Sequence, residues 1–466
     1  MQKLFDEVGS LDKRCYEEFG LNEDILIEHA AEGMASFIRN KFSKDSKILI
    51  VCGAGNNGAD GITLSRLLFK DYDVSIFQMI EPKSKMTIMQ QKRAHAIGIK
   101  RVIDLTKCDV LVDALFGTGF DGELDAEAKS VMQAINNYSA YKIACDIPSG
   151  MKISGECDKH TFVADVTLTM GALKKSLYSD HAKELVGEIK VVDLGVSRNI
   201  YETDSFWHVL DMEDINLPHR TQKNSHKGSY GHLGVACGEK TGAGIMSALS
   251  ALKLGSGLVT LVLSKEQVAP IAPYSLMISN DNPSNATALS CGMGLGNAFS
   301  EKALQKFLDN KLPLVADADI LCMNIIRDIL QREKVIITPH PKEFVTLLKI
   351  TKIADITIKE LQNNRFKYSE EFCKQYPNVT LLLKGANVII GQKGKFFVNP
   401  HGTSVLAKGG SGDVLSGLIG GLLAQGYTPL DATINASLCH AKLAQNYKGA
   451  DFSLTPDDLI DGIANL

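Results

Sequence analysis

Residues 47–61 read KILIVCGAGNNGADG, an apolar run that breaks into glycines, two adjacent asparagines and a single aspartate. The run is short and rich in β-branched residues, so it reads as a buried strand. The polar half, GAGNNGADG, has two readings. Glycine and asparagine collect in any awkward turn because they tolerate positive φ. A glycine-rich segment between a strand and a helix also brings backbone N–H groups close to a ligand and aims the helix N-terminus at an anion.

On the N-terminal side of this stretch, residues 21–42 carry Leu26, Ile27, Ala30, Ala31, Met34, Phe37 and Ile38 at helical spacing. On its C-terminal side lie further strand-like runs: DVSIFQM (73–79), KCDVLVDALFG (107–117), YKIACDIPSG (141–150), DVTLTMG (165–171) and EIKVVDLG (188–195). Continuous apolar strands separated by helix-length segments predict an α/β domain with a parallel sheet covered on both faces. Ligands bind such sheets beyond the carboxyl ends of the strands, where the glycine-rich segment sits. Between about 196 and 228 the period is lost, which predicts a junction with a short strand near Trp207. A second alternation runs through GHLGVACG (231–238), LVTLVL (258–263), ALSCGMGLG (288–296), LPLVADADIL (312–321), KVIITPH (334–340), VTLLLKG (379–385) and NVIIG (387–391). No solenoid period appears, so two different domains are expected, residues 1–210 and 211–466.

Bulk properties narrow the partners. A chain of 466 residues, 45% hydrophobic, exceeds one core and suits two or three domains. The net charge is -4 with both signs interspersed, which argues against a nucleic-acid partner and for small molecules. The ten cysteines form no C-x-x-C and sit in apolar runs, as in a reduced, cytoplasmic protein. The N-terminus lacks an apolar signal region, and the apolar stretch 413–426 is shorter than a bilayer span, so no membrane partner is expected.

The sharpest chemical signal is LAKGGSGDVLSGLIGGLLAQG (406–426). A glycine turn entering an apolar helix would aim the amides of Gly410, Ser411, Gly412 and Asp413 at one spot, an anion hole. A carboxylate facing a bound phosphate is repelled unless it has work to do. As a general base, Asp413 would take a proton from a substrate hydroxyl while the amides hold the phosphoryl group. The plainer reading is an aspartate capping the helix.

This G-x-G-D helix, with HKGSYG (226–231), TGAGIMSALSALKLGSG (241–257), GMGLG (292–296), DADIL (317–321), TPHPKEF (338–344) and LLLKGANVII (381–390), resembles the ribokinase-like fold, and within it the dehydratase domain of the NAD(P)H-hydrate repair enzymes. The resemblance implies dehydration of (S)-NAD(P)HX at the expense of ADP in bacterial members, or ATP in eukaryotic ones. ADP, carried with magnesium, would leave as AMP and phosphate. By motif position, Asp413 is the base; Ala243, Gly294 and His340 touch the hydrated cofactor; Lys384, Gly385, Ala386, Asn387, Val388, Gly410, Ser411 and Gly412 line the nucleotide site. Read alone, His340 is a loop histidine between two prolines. The family usually has Pro where this chain has Met293 and Thr where it has Ser411.

In the first half, GAGNNGADG, VDALFGTGFDGE and CDIPSG would meet at one edge of the sheet. With LDKRCYEEFG (11–20) and LIEHAAEGMA (26–35), they resemble the epimerase domain of the same family, a Rossmann-like three-layer fold. Carried over, Asn56, Asn57, Gly58, Ala59 and Asp60, together with Gly117, Thr118, Gly119, Phe120, Asp121, Gly122 and Glu123, bind the hydrated dinucleotide. Asn57, Gly117 and Ser149 hold a potassium ion. Asp146 binds the ring and acts as acid or base. CDIPSG alone is equally a proline-stabilised turn, and Asp113 either orients its neighbours or ends a strand. Ala59 replaces a common glycine and is tolerated only at negative φ.

The implied protein is a homo-oligomeric bifunctional enzyme interconverting R and S NAD(P)HX and dehydrating the S form. The alternative is a ribokinase-like kinase of a vitamin or sugar whose first domain is a nucleotide-sensing binding module.

Overall fold

The computed structural model describes residues 1–466. It divides into two compact units, Gln2–Ser205 and Phe206–Leu466, the latter together with Met1. The division precedes the expected limit at 210 because the strand Trp207–Val209 pairs with Lys395–Asn399 of the second unit.

In the first unit, strands β1 (Gln2–Phe5), β2 (Lys47–Cys52), β3 (Asp73–Gln78), β4 (Arg101–Val102), β5 (Val110–Ala114), β6 (Tyr141–Cys145), β7 (Val166–Met170), β8 (Leu173–Lys174) and β9 (Glu188–Val192) follow in chain order. Seven form a sheet in the order β4-β3-β2-β5-β6-β7-β9, parallel throughout. Order reverses between β2 and β5, which opens a crevice at their carboxyl ends. Ile48 to Cys52 are all within 1% of full burial, as covering both faces requires. The helix Glu23–Lys41 is capped by Asn22, whose side chain accepts from the Ile25 N–H. The helix Asn56–Leu68 begins inside the glycine-rich stretch, so Asn56 to Asp60 are helical rather than loop residues.

The second unit contains β10 (Trp207–Val209), β11 (His232–Ala236), β12 (Leu258–Val262), β13 (Met277–Ser279), β14 (Ala288–Cys291), β15 (Leu314–Ala316), β16 (Val335–Ile337), β17 (Val379–Leu383), β18 (Val388–Gln392) and β19 (Lys395–Asn399). Their order is β13-β12-β11-β14-β15-β16-β17-β18-β19-β10. The sheet is parallel from β13 to β17 and antiparallel across β17, β18 and β19. The helices Thr241–Lys253 and Ser411–Ala424 run side by side in one direction. A Cβ on Gly417 would come within 2.1 Å of the Ser247 carbonyl oxygen, and one on Gly421 within 2.9 Å of the Ala251 Cα. Small residues thus bring the helices into backbone contact, and their N-termini open on the same edge of the sheet. No helix is long and apolar enough to cross a membrane.

Candidate active sites

In the first unit, three of the four glycines of residues 53–61, Gly53, Gly58 and Gly61, serve close packing. None of Gly53, Gly55, Gly58 and Gly61 has positive φ. A Cβ on Gly53 would meet the Leu115 carbonyl oxygen at 1.9 Å, one on Gly58 the Gly53 carbonyl oxygen at 2.1 Å, and one on Gly61 the Ala114 Cβ at 2.6 Å. The strand end, the helix and the β5 loop are pressed together, which brings Asn57 against the loop after β5. Ala59 also lies at negative φ, and its buried methyl packs with Ile27 and Met86. The adjoining turn is braced: the Ala54 carbonyl accepts from Lys83 and Ser84, and the Thr87 hydroxyl donates to the Gly55 carbonyl.

Asn56 donates to the Glu23 carboxylate at 2.6 Å. Asn57 is different: both its amide nitrogen and its amide oxygen are buried with no partner. A Cβ on Gly117 would lie 3.2 Å from the Asn57 Cβ. Beside them, the buried Ser149 hydroxyl accepts from the Phe116 N–H at 2.8 Å and donates to Asp113 Oδ1 at 2.6 Å. Asp113 also accepts from the Ser149 and Leu115 N–H groups, so it orients the cradle as well as ending β5. Burial pushes its carboxyl up to about 6 despite these bonds. An orphaned amide beside a buried carboxyl suits a monovalent cation, which would bind the amide oxygen and favour the ionised carboxylate.

The 117–123 loop is less assembled. Gly117 and Thr118 are half-buried, and the half-buried Phe120 packs its ring 4.8 Å from Phe116. Gly119, Asp121, Gly122 and Glu123 are exposed, and the two acids lie in the field of Lys152.

Asp146 stands just beyond β6 at φ +70, a left-handed conformation rare for a non-glycine residue. Its Oδ1 accepts from the Met170 N–H at 3.1 Å and from Lys174 Nζ at 2.7 Å. Lys174 is fully buried and also donates to Thr169 Oγ1 at 2.8 Å and the Met170 carbonyl at 3.0 Å. The motifs of the sequence do not reach this lysine. Its only signal there is a lysine pair inside the apolar segment GALKKSL, and the turn from β7 to β8 places it under Asp146. Asp60 is buried near this pair, and burial followed by the Asp146 charge pushes its carboxyl well above the usual range.

In the second unit, Gly410 adopts the left-handed conformation at φ +92 and starts the helix Ser411–Ala424. Only part of the expected amide cluster is free. The Ser411 N–H donates to the Lys408 carbonyl and its hydroxyl to the Leu406 carbonyl, because the turn needs both as braces. The amides of Gly410, Gly412 and Asp413 have no backbone acceptor before them. Asp413 is half-buried; burial, and then the Asp317 charge, pushes it up to about 6, while Lys384 pulls the other way.

Lys384 connects the site. Its ammonium meets Asp317 Oδ1 at 2.7 Å and would lie 3.4 Å from a Cβ on Gly412. Asp317 is buried and takes the Ser416 hydroxyl on its other oxygen at 2.6 Å. The Lys384 N–H donates to the Pro339 carbonyl, which draws the TPHP turn alongside. There His340 caps the helix Pro341–Ile350. Its Nδ1 accepts from the Lys342 and Glu343 N–H groups, and its Nε2 lies 3.1 Å from Glu343 Oε1. The ring is therefore a committed cap with a half-exposed face, and Nε2 carries the proton. Ala243 and Gly294 also meet, since a Cβ on Gly294 would lie 3.1 Å from the Ala243 Cβ. Gly385 instead faces the Arg365 guanidinium, Ala386 neighbours Gly402, Asn387 is buried, and Val388 begins β18.

The model of the family described as NAD(P)H-hydrate dehydratase matches residues 233–465, and that of the YjeF-related protein N-terminus matches 23–176. The bifunctional NAD(P)H-hydrate repair enzyme Nnr of Helicobacter pylori is 42% identical, with 100% of each chain covered. The enzyme of the same name from Coxiella burnetii is 32% identical over 96% of this chain and 95% of its own. Among solved structures, the ADP/ATP-dependent NAD(P)H-hydrate dehydratase of Bacillus subtilis, co-crystallised with ATP and Mg2+, is 27% identical, with a TM-score of 0.46, covering 53% of this chain and 92% of that one.

Proposed function

Because the chain belongs to the bifunctional NAD(P)H-hydrate repair enzymes, with epimerase and dehydratase activities on one polypeptide, we propose how its two sites divide the repair. The kinase alternative gives way to this family membership. In the first unit, the diphosphate of the hydrated dinucleotide lies at the N-terminus of the helix Asn56–Leu68, where the leading amides and the helix dipole favour an anion. The hydrated ring reaches Asp146, and Lys174 holds that carboxylate in place. Gly117 to Glu123 line the dinucleotide from the solvent side. Asn57, Gly117 and Ser149 hold potassium, with Asp113 orienting Ser149. The ion would supply positive charge beside the anionic substrate.

In the second unit, Asp413 takes the proton from the hydroxyl of the S hydrate. The amides of Gly410, Gly412 and Asp413 hold the transferring phosphoryl group, and Lys384 offsets its charge. Phosphorylation makes the hydroxyl a good leaving group, and elimination restores NADH or NADPH. ADP is the proposed donor, giving AMP and phosphate. Of the nearby carboxylates, Asp317 is held by Lys384 and Ser416, and Asp319 accepts from the Gly296 N–H. Magnesium therefore enters on the nucleotide phosphates, where it supplies charge neutralisation. Ala243, Gly294 and the exposed face of His340 line the hydrate, and Gly385, Ala386, Asn387 and Val388 the nucleotide.

The observation that carries this reading is the juxtaposition of Asp413, Lys384 and free helix-terminal amides at one sheet edge. The test is to incubate the protein with mixed R and S hydrate, with ADP, with ATP or with neither, and follow reduced-nicotinamide absorbance. Full recovery with nucleotide is expected. No recovery with either nucleotide defeats the dehydratase assignment, and recovery that stops at the S fraction defeats the epimerase assignment.

A further inference from the structure

Three carboxyl groups and one ammonium influence one another electrostatically in the first unit: Asp60, Asp146 and Lys174, which are buried, and Asp12, which is half-buried. Two of the acids are committed. Asp146 is paired with Lys174 at 2.7 Å, and Asp12 accepts from the Tyr201 hydroxyl at 2.7 Å. Asp60, only 8% exposed, has Lys174 as the cation in its field, and that ammonium is already paired with Asp146. It stands one turn after Asn56 and Asn57 on the helix whose N-terminus faces the dinucleotide. The charged groups around it are Asp146 beyond β6, Asp12 on the helix Gly9–Glu18, Glu23 on the helix Glu23–Lys41 and Lys174 on β8. The single cation is already matched, so a second ionised acid here would be an uncompensated buried charge. Asp60 is the group with a proton to give.

The substrate states what that proton can do. Hydration of a dihydronicotinamide adds water across an enamine, and the polarity of an enamine places the hydroxyl on the carbon bonded to the ring nitrogen. Such a carbon loses its hydroxyl readily under acid, because the nitrogen lone pair fills the vacancy.

Resting on the epimerase reading of this unit, we propose that Asp60 is the catalytic acid of epimerisation, inverting the hydrated carbon by cleavage of its C–O bond, with Asp146 facing the resulting cation. The Asp60 proton passes to the hydroxyl, the C–O bond breaks, and water departs as the ring nitrogen donates its pair to form a C=N bond. The Asp146 carboxylate, fixed by Lys174, stabilises the iminium. Water then adds to the opposite face, the nitrogen recovers its pair, and the excess proton returns to Asp60. Atoms and charge balance with no oxidant or second substrate.

The test uses the full chain without ADP or ATP, so that dehydration is silent. Pure R hydrate is incubated in water enriched in oxygen-18, and the epimers are separated and weighed by mass spectrometry. The wild type is expected to incorporate one oxygen-18 per inversion. Asp60→Asn should slow inversion at saturating hydrate at least about 100-fold, while Asp60→Glu retains part of the rate. Dehydration of pure S hydrate by each variant, after adding nucleotide, should match the wild type, and a calorimetric transition of the first unit close to the wild type's shows that this unit is folded. Inversion with the original oxygen retained, which is ring opening at C–N, overturns the proposal, as does a wild-type rate in Asp60→Asn. A wild type that inverts no faster than the spontaneous reaction overturns the epimerase reading itself.

Discussion

Replacing Lys174 with Met removes an ammonium of similar bulk from a site with no solvent exposure. Asp146 loses its only cationic partner, at 2.7 Å, and the oxygens of Thr169 and Met170 lose a donor. Breaking a buried ion pair from one side costs about 3–5 kcal/mol. The low end applies, about 3 kcal/mol, because the Asp146 side chain is 12% exposed and keeps the Met170 N–H. For a unit of this size, about 2–4 °C of Tm accompany each kcal/mol, so a fall of about 6–12 °C is expected. Calorimetry measures the loss. The single tryptophan, Trp207, lies in the other unit, and its fluorescence transition should move less. Epimerisation should fall sharply while dehydration of S hydrate persists. Lys174→Met combined with Asp146→Asn should be more stable than the sum of the single effects, by about 1–3 kcal/mol of coupling. A Tm shift below about 2 °C with epimerisation intact would show that the pair neither stabilises the unit nor positions Asp146.

Asp413→Asn should abolish dehydration, and wild-type kcat/KM should fall as pH drops through about 6, where the base takes up its proton. Stability runs the other way. The folded-state value exceeds the unfolded one, so the native protein holds more protons between about 4 and 6 and loses stability as pH rises through that window. Asp413→Asn should therefore be more stable than the wild type at pH 7, by about 1–2 kcal/mol, and equal to it near pH 3; chemical denaturation at both pH values checks this. Potassium at about 100 times its Kd should stabilise the first unit by about 2.7 kcal/mol, and Asn57→Ala should erase the effect in a thermal melt. Gly58→Ala should cost about 1–3 kcal/mol in urea denaturation, because its Cβ would overlap the Gly53 carbonyl oxygen, whereas Gly55→Ala meets nothing within 4 Å and should be nearly neutral.

The parallel sheets were legible because strands buried on both faces are written as unbroken apolar runs. β19 was not, since KFFVN comes after its partner across a two-residue turn and looks like a continuation. Asp413 was legible because its chemistry is local: a helix start, glycines and an acid within one turn. Lys174 and the pairing of Asp12 with Tyr201 were not, because they join residues 28 and 189 positions apart. His340 shows the reverse limit. Its motif identifies the turn, but the geometry spends both ring nitrogens on capping. At Gly53, Gly58 and Gly61 the structure replaces dihedral freedom with contact distance as the reason for glycine.

That replacement bears on how the dinucleotide is captured. A segment held by steric contact and braced by Ser84 and Thr87 has little freedom to surrender when a ligand arrives. Its backbone order parameters should sit near the rigid value of about 0.85 in the free protein and change little on binding. Association at this edge should then resemble docking onto a finished surface, with a small entropic penalty and no slow closing phase.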